Sequence, residues 1–130
     1  MIIEQFAKYL QDQGVGVMNK NIFCFRMPAE VTSGFLIVYP NDGIRRDPDL
    51  KGFYQDAFPF IIRGASLTEV TRLADIAMPV IDALHVEADG FHFNYIRPLT
   101  LPIIYPPNDG NTYEAGITIE FSGYMVQATK

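Results

Sequence analysis

The stretch Phe58-Pro59-Phe60-Ile61-Ile62-Arg63-Gly64-Ala65-Ser66-Leu67-Thr68-Glu69 constrains the fold more than any other part of the chain. Phe58, Phe60 and Ile62 alternate with Pro59, Ile61 and Arg63, the period of two that marks a β-strand. Gly64 ends it. Ser66-Leu67-Thr68-Glu69 then has the S-x-x-E pattern of a capping box, in which Ser66 accepts from the backbone of Glu69 and Glu69 reaches back to Ser66. A strand must therefore pass into a helix within a few residues. Leu67, Val70, Leu73, Ala74, Ala77, Ile81 and Leu84 form one apolar stripe, with Glu69, Arg72, Asp75 and Asp82 off it, so the helix is expected to pack on a sheet. Pro79 interrupts the stripe, and a kink there, with the helix continuing to Leu84, is the expectation. Pro59 lacks an N–H and is expected at the start of its strand or on a sheet edge.

Around this block the pattern alternates between the two periodicities. Ile2, Ile3, Phe6, Tyr9 and Leu10 recur at helical spacing, predicting an amphipathic helix over residues 1–13 closed by Gly14 as a left-handed cap. Residues 22–27 and 34–39 are rich in β-branched and aromatic side chains and read as two strands paired around the loop at 28–33. From Pro40 to Gln55 the chain turns polar, with Asn-Asp-Gly, Arg45-Arg46, Asp47-Pro48-Asp49 and Lys51-Gly52, and a long surface loop is expected. Structureless loops of that length are uncommon in compact domains and are usually functional, so this one is the first candidate contact region. Asp89-Gly90 turns into a strand at 91–97, with Phe91, Phe93 and Tyr95 against His92, Asn94 and Ile96. The proline-rich residues 98–110 read as an extended connection, with at most a short edge strand and a turn at Asn108-Asp109-Gly110. Residues 113–126 form the longest strand, with Ile117, Ile119, Phe121 and Met125 inward and Thr118, Glu120, Ser122 and Tyr124 outward; the last residues should fray. The expectation is an α+β fold: a largely antiparallel or mixed sheet of about five to six strands with two helices on one face.

The 130 residues suit a single domain, 1–130, with one core. Hydrophobic residues make up 48% and charged residues 19% of the chain, which excludes disorder driven by charge. The net charge of −5 argues against a protein that binds nucleic acid by neutralising phosphates, yet it is compatible with a wall past which DNA slides as cargo. Only Ile2 and Ile3 precede Glu4, unlike a signal peptide, and no apolar run approaches the ~18 residues of a membrane span, so synthesis in the cytoplasm and no membrane partner are expected. The lone Cys24 cannot form an internal disulfide and reads as a small buried hydrophobe.

The search for chemistry finds no catalytic, metal-binding or cofactor-binding set. His85 and His92 lack ligand partners at metal-site spacing; His85 is expected at the end of the long helix and His92 on an exposed strand face. Gly14 and Gly16 follow a helix instead of a strand, so they do not form a phosphate loop. Asp47 and Asp49, and Glu87 and Asp89, lie in turns where Asp is favoured for backbone hydrogen bonding alone. Ser66 has no nucleophile-elbow glycines and is accounted for as a helix cap. Arg63-Gly64 would suit a ligand contact, but an Arg that ends a strand with a glycine to release the chain is also a common structural arrangement, and the structural reading is preferred.

Taken together, the block from Phe58 to Val70 resembles the central block of phage minor capsid and tail-terminator proteins, in which a strand ending in Arg-Gly leads into a Ser-capped helix. The N-terminal helix, Phe35-Leu36-Ile37-Val38-Tyr39-Pro40 with its polar loop, Tyr95-Ile96-Arg97-Pro98-Leu99-Thr100-Leu101-Pro102 and the closing strand extend the resemblance over nearly the whole chain. The resemblance implies a non-enzymatic virion subunit of the tail or neck. It would form a homo-oligomeric ring, hexameric in the family's layout, cap the tail-tube protein, end its polymerisation and meet a head-connector protein. On that reading Arg45, Arg46, Asp47, Asp49 and Lys51 are the candidate subunit or tube contacts. Two alternatives are another connector or head-completion protein, and a small-molecule-binding domain using Phe91, Phe93 and Tyr95.

Overall fold

The computed structural model describes residues 2–40, 42–107 and 112–126. The expected turn at 108–110 and the fraying at 127–130 lie outside the described residues. The elements are helix α1 (Ile2–Asp12), strands β1 (Ile22–Cys24), β2 (Gly34–Ile37) and β3 (Phe53–Gly64), helix α2 (Leu67–Ala77), and strands β4 (Ala83–Ala88), β5 (Phe91–Pro98), β6 (Ile103–Ile104) and β7 (Tyr113–Met125). They form one mixed sheet in the order β1-β2-β3-β7-β5-β4, with β6 pairing β7 beyond the end of β5. The α+β expectation holds, with seven strands where five to six were expected.

The spine is the antiparallel β3–β7 ladder, in register from Phe53 against Tyr124 to Gly64 against Tyr113. Its inner face carries Phe58, Phe60, Ile62, Ala115, Ile117, Ile119 and Phe121, all buried. Both helices pack there. Phe6 of α1 has no exposed surface and sets its ring 4.9 Å from Phe58, 6.1 Å from Phe60 and 6.3 Å from Phe93. Val70, Leu73, Ala74 and Ala77 of α2 join the same cluster. Helix α1 touches both β1 and β4, the two ends of the strand order, so the sheet curls around it.

Gly64 explains how the strand can pass so quickly into the helix. A Cβ on residue 64 would lie 2.8 Å from both the backbone nitrogen and a methyl of Val70, so the first turn of α2 occupies the space a side chain would need. Gly64→Ala is expected to cost about 2 kcal/mol, because a backbone atom cannot yield as a side chain can. A urea melt unchanged from the parent protein would contradict this close packing.

Several local expectations are corrected. Ser66 does cap α2, accepting from Glu69 N at 3.1 Å, but the Glu69 carboxylate bonds Ser33 Oγ and Arg72 and does not return to the Ser66 backbone. The helix ends at Ala77 instead of kinking and running on to Leu84. Pro79 cannot donate to the preceding turn, and a tight turn follows in which Val80 and Ile81 both donate to Ala77 O. Ile81 stays fully buried in that turn, which is why the stripe seemed to continue, whereas Leu84 is 72% exposed on β4. Asp82 precedes β4 and His85 lies within it, so neither sits on a helix.

Strands β1 and β2 do pair, but in parallel, so the segment between them crosses back along the sheet instead of forming a hairpin. Strand β3 begins at Phe53, which absorbs the end of the expected 40–55 loop. Pro59 therefore sits mid-strand. Its carbonyl accepts from Val38 N at 3.2 Å, just past the end of β2 at Ile37; the missing N–H faces that same residue, so the pair keeps one of its two bonds and the β2–β3 ladder stops there. In β5 the register against β7 shifts between Phe93 and Tyr95, which buries Ile96 and turns Tyr95 away from the core, reversing the simple alternation. Asp89 and Gly90 both adopt positive φ, 48° and 83°, in the β4–β5 hairpin turn.

Candidate functional site

The charged candidates lie on the approach to β3, and their backbone is firmly held. Arg45 N donates to Asp56 Oδ2 at 2.7 Å, Gln55 N donates to Arg45 O at 3.2 Å, and Arg46 bridges Tyr54. Asp47 Oδ1 accepts from Asp49 N and Leu50 N at 2.8 and 2.9 Å, so its carboxylate shapes the turn. The side chains of Arg45, Arg46, Asp49 and Lys51 are exposed, and no ion pair among the described residues involves them. The turn thus holds three cationic side chains outward without an internal partner. Asp47 is the member of the candidate set whose charge is already engaged.

Other charges are spent within the chain. Arg63, only 15% exposed, bonds Glu114 Oε2 at 2.9 Å and the carbonyls of Pro28 and Val31 at 3.2 Å each, tying the β1–β2 connection to the sheet. Arg97 pairs with Glu120 and lies over the Tyr95 ring. The expected structural reading of Arg63 is the one its contacts support.

Beside the charged turn is an apolar groove of about 330 Å³ lined by Ile2, Tyr39, Gly43, Ile44, Tyr54 and Met125. Tyr39 donates to Glu4 Oε1 at 3.2 Å, and burial, reinforced by the Glu4 charge, pushes its pKa up to about 12. It remains a neutral donor throughout the physiological range. Cys24 packs against the core, half-buried, and burial raises its thiol pKa, the opposite of what a reactive cysteine requires.

A second surface was missed in the sequence. From Pro98 to Pro107 the chain carries no charge, and Leu99, Leu101, Ile103, Ile104 and Tyr105 are all exposed, Leu101 at 78%. This arm is anchored where Leu99 N donates to Thr118 O at 2.9 Å and Tyr105 N donates to Glu114 O at 2.8 Å. The Tyr105 ring lies over Gly116, where a side chain would displace it. Five large apolar side chains among four prolines in an uncharged run were the available signal; the prolines drew the reading to conformation instead.

The chemistry candidates are dispersed or structurally employed. His85 and His92 rings lie 5.8 Å apart, His92 stacks on Tyr124 at 4.9 Å, and His92 Nδ1 is 3.5 Å from Glu87. Among the described residues no group of three or more His, Cys, Asp or Glu is placed to hold a metal ion. Phe91 and Phe93 are buried in the core while Tyr95 lies outside it, so the three do not line a common binding face. No described helix is long and apolar enough to cross a membrane.

The molecule is a curled α+β fold that carries an exposed charged turn, an apolar groove and an uncharged arm. The sequence profile described as "Bacteriophage tail terminator protein" matches residues 9–125, and the chain belongs to that family of phage structural proteins. Among solved structures, a chain of the "Virion of native gene transfer agent (GTA) particle" superposes with a TM-score of 0.60 at 8% identity, covering 81% of this chain and 79% of that one. At that identity the likeness speaks for the fold. No curated protein matches significantly. The chain is a virion structural protein with a tail-associated role.

Proposed function

We propose that the protein is a tail terminator in the full sense: copies form a closed ring, hexameric in its simplest version, that caps the tail tube and stops it growing. The ring then presents a surface to the head connector, and DNA passes through it as cargo. The observation that carries this reading is the family match over residues 9–125, nearly the whole chain. The protein's work on this account is binding, with no reaction and no cofactor. Its place is the tail or neck of the virion, after synthesis in the host cytoplasm.

The exposed turn supplies contacts of the kind such a role needs. Arg45, Arg46 and Lys51 extend from a fixed backbone, with Asp47 and Asp49 beside them, and would meet complementary charge on a neighbouring subunit or on the tube. Arg45→Glu with Arg46→Glu should abolish ring formation or tube attachment while leaving the thermal unfolding curve within about 0.5 kcal/mol of the parent, since neither side chain has a partner among the described residues. Sedimentation with purified tail tubes checks this. Unimpaired rings that still cap tubes would remove these residues from the interface.

A further inference from the structure

We infer that the uncharged arm at residues 98–107 of one copy seats in the apolar groove around Ile44 of the next copy, a head-to-tail contact. The inference rests on the ring reading above, and it assigns the surfaces that would make the ring.

Main-chain pairing is a poor route to assembly for this sheet. On β1 the outward carbonyls of Ile22 and Cys24 already accept from Asn19 and Arg26. Strand β4 is distorted at His85, whose φ of 52° and missing register partner make the edge irregular. Along the arm, the Tyr105–Glu114 bond sets the alternation, so residues 102, 104 and 106 face outward; two of these are prolines without an N–H. Each edge is blunted against an added strand. What the arm offers a partner is its side chains.

Apart from Thr100 those side chains are aliphatic or aromatic, and none is charged, so an apolar receptor suits them. The groove of Ile2, Tyr39, Ile44, Tyr54 and Met125 has that character, and its volume of about 330 Å³ accommodates aliphatic side chains of the size of Leu101. The charged turn at Arg45 and Arg46 directly follows Ile44, giving an apolar centre with a charged rim, the usual anatomy of a protein interface.

The two surfaces cannot meet within one molecule. The arm is anchored along β7 from Thr118 to Glu114, while the groove includes Met125 at the strand's end. An extended strand places even the nearer anchor about 20 Å from the groove. Different surfaces at opposite ends of one ladder give a heterologous contact, which generates rings when the rotation closes.

Mixing variants of the full chain tests the pairing. Leu101→Asp spoils the arm and Ile44→Asp spoils the groove, and each alone should weaken self-association at least thirtyfold, about the loss of one hot-spot residue. A one-to-one mixture retains one intact arm and one intact groove, and should give a heterodimer by analytical ultracentrifugation but no ring. Leu101→Ala and Ile44→Ala, which leave folding less at risk, should show the same pattern more weakly, with unfolding curves checked for each variant. Parent rings that survive Leu101→Asp, or a mixture that stays monomeric when both variants are folded, would overturn the arm-to-groove contact and leave the ring reading standing. A parent protein that is monomeric at every concentration and in the presence of tubes would instead remove the ring reading itself.

Discussion

Phe6→Ala is expected to destabilise the protein by about 4 kcal/mol and lower its melting temperature by about 15 °C. The side chain is fully buried, and its ring meets Phe58 and Phe60 of β3 and Phe93 of β5. Removing it takes away the transfer energy of an aromatic ring and leaves a cavity that the sheet cannot close, because its curvature is fixed by the β3–β7 ladder. Helix α1 also bridges the two ends of the sheet, so the loss should spread. Of a total stability of about 5–15 kcal/mol, this is a large share. Calorimetry of the variant checks it; a melting temperature within about 3 °C of the parent would show that α1 is a peripheral element.

Arg63→Ala is expected to cost about 2–3 kcal/mol, an effect larger than that of an exposed ion pair. The substitution leaves the Glu114 carboxylate without its cation and frees the Pro28 and Val31 carbonyls, in a site where Arg63 is 15% and Glu114 28% exposed. Glu114→Gln should cost only about 1 kcal/mol, because the guanidinium keeps both backbone carbonyls. The double substitution should fall short of the sum, since the two side chains share one interaction. Hydrogen exchange should localise the loosening to residues 25–33. Equal costs for the two single variants would mean that the carboxylate, and not the tie to the loop, carries the energy.

Much of this architecture was legible in the sequence wherever one local rule dominated. The apolar face of α1, the Ser66 cap and the alternation along β7 each have a simple periodicity, and tertiary contacts reinforce it. The failures have specific physical causes. Ile81 extends the apolar stripe of α2 because a turn after Pro79 returns it to the core, so burial persists after the helix has ended. The parallel pairing of β1 and β2 depends on where the chain crosses, which composition does not encode. Tyr95 and Ile96 exchange faces at a bulge, and one shifted residue inverts every later side chain.

The candidate site was legible in the same uneven way. The charged turn stood out by composition, and the structure holds its cations outward with no ion-pair partner among the described residues. The structure also distinguishes Asp47, whose carboxylate shapes the turn, from Arg45 and Arg46, which sequence alone could not separate. The arm and the groove were not foreseen, because an apolar surface is defined by what fails to cover it. That is a property of the folded shape.

The most direct measurement is the native mass of the purified protein, combined with electron microscopy of the protein mixed with tail tubes. The account predicts a closed ring of about six copies, bound at tube ends and preventing their further growth. A protein that stays monomeric and leaves the length of growing tubes unchanged would contradict it.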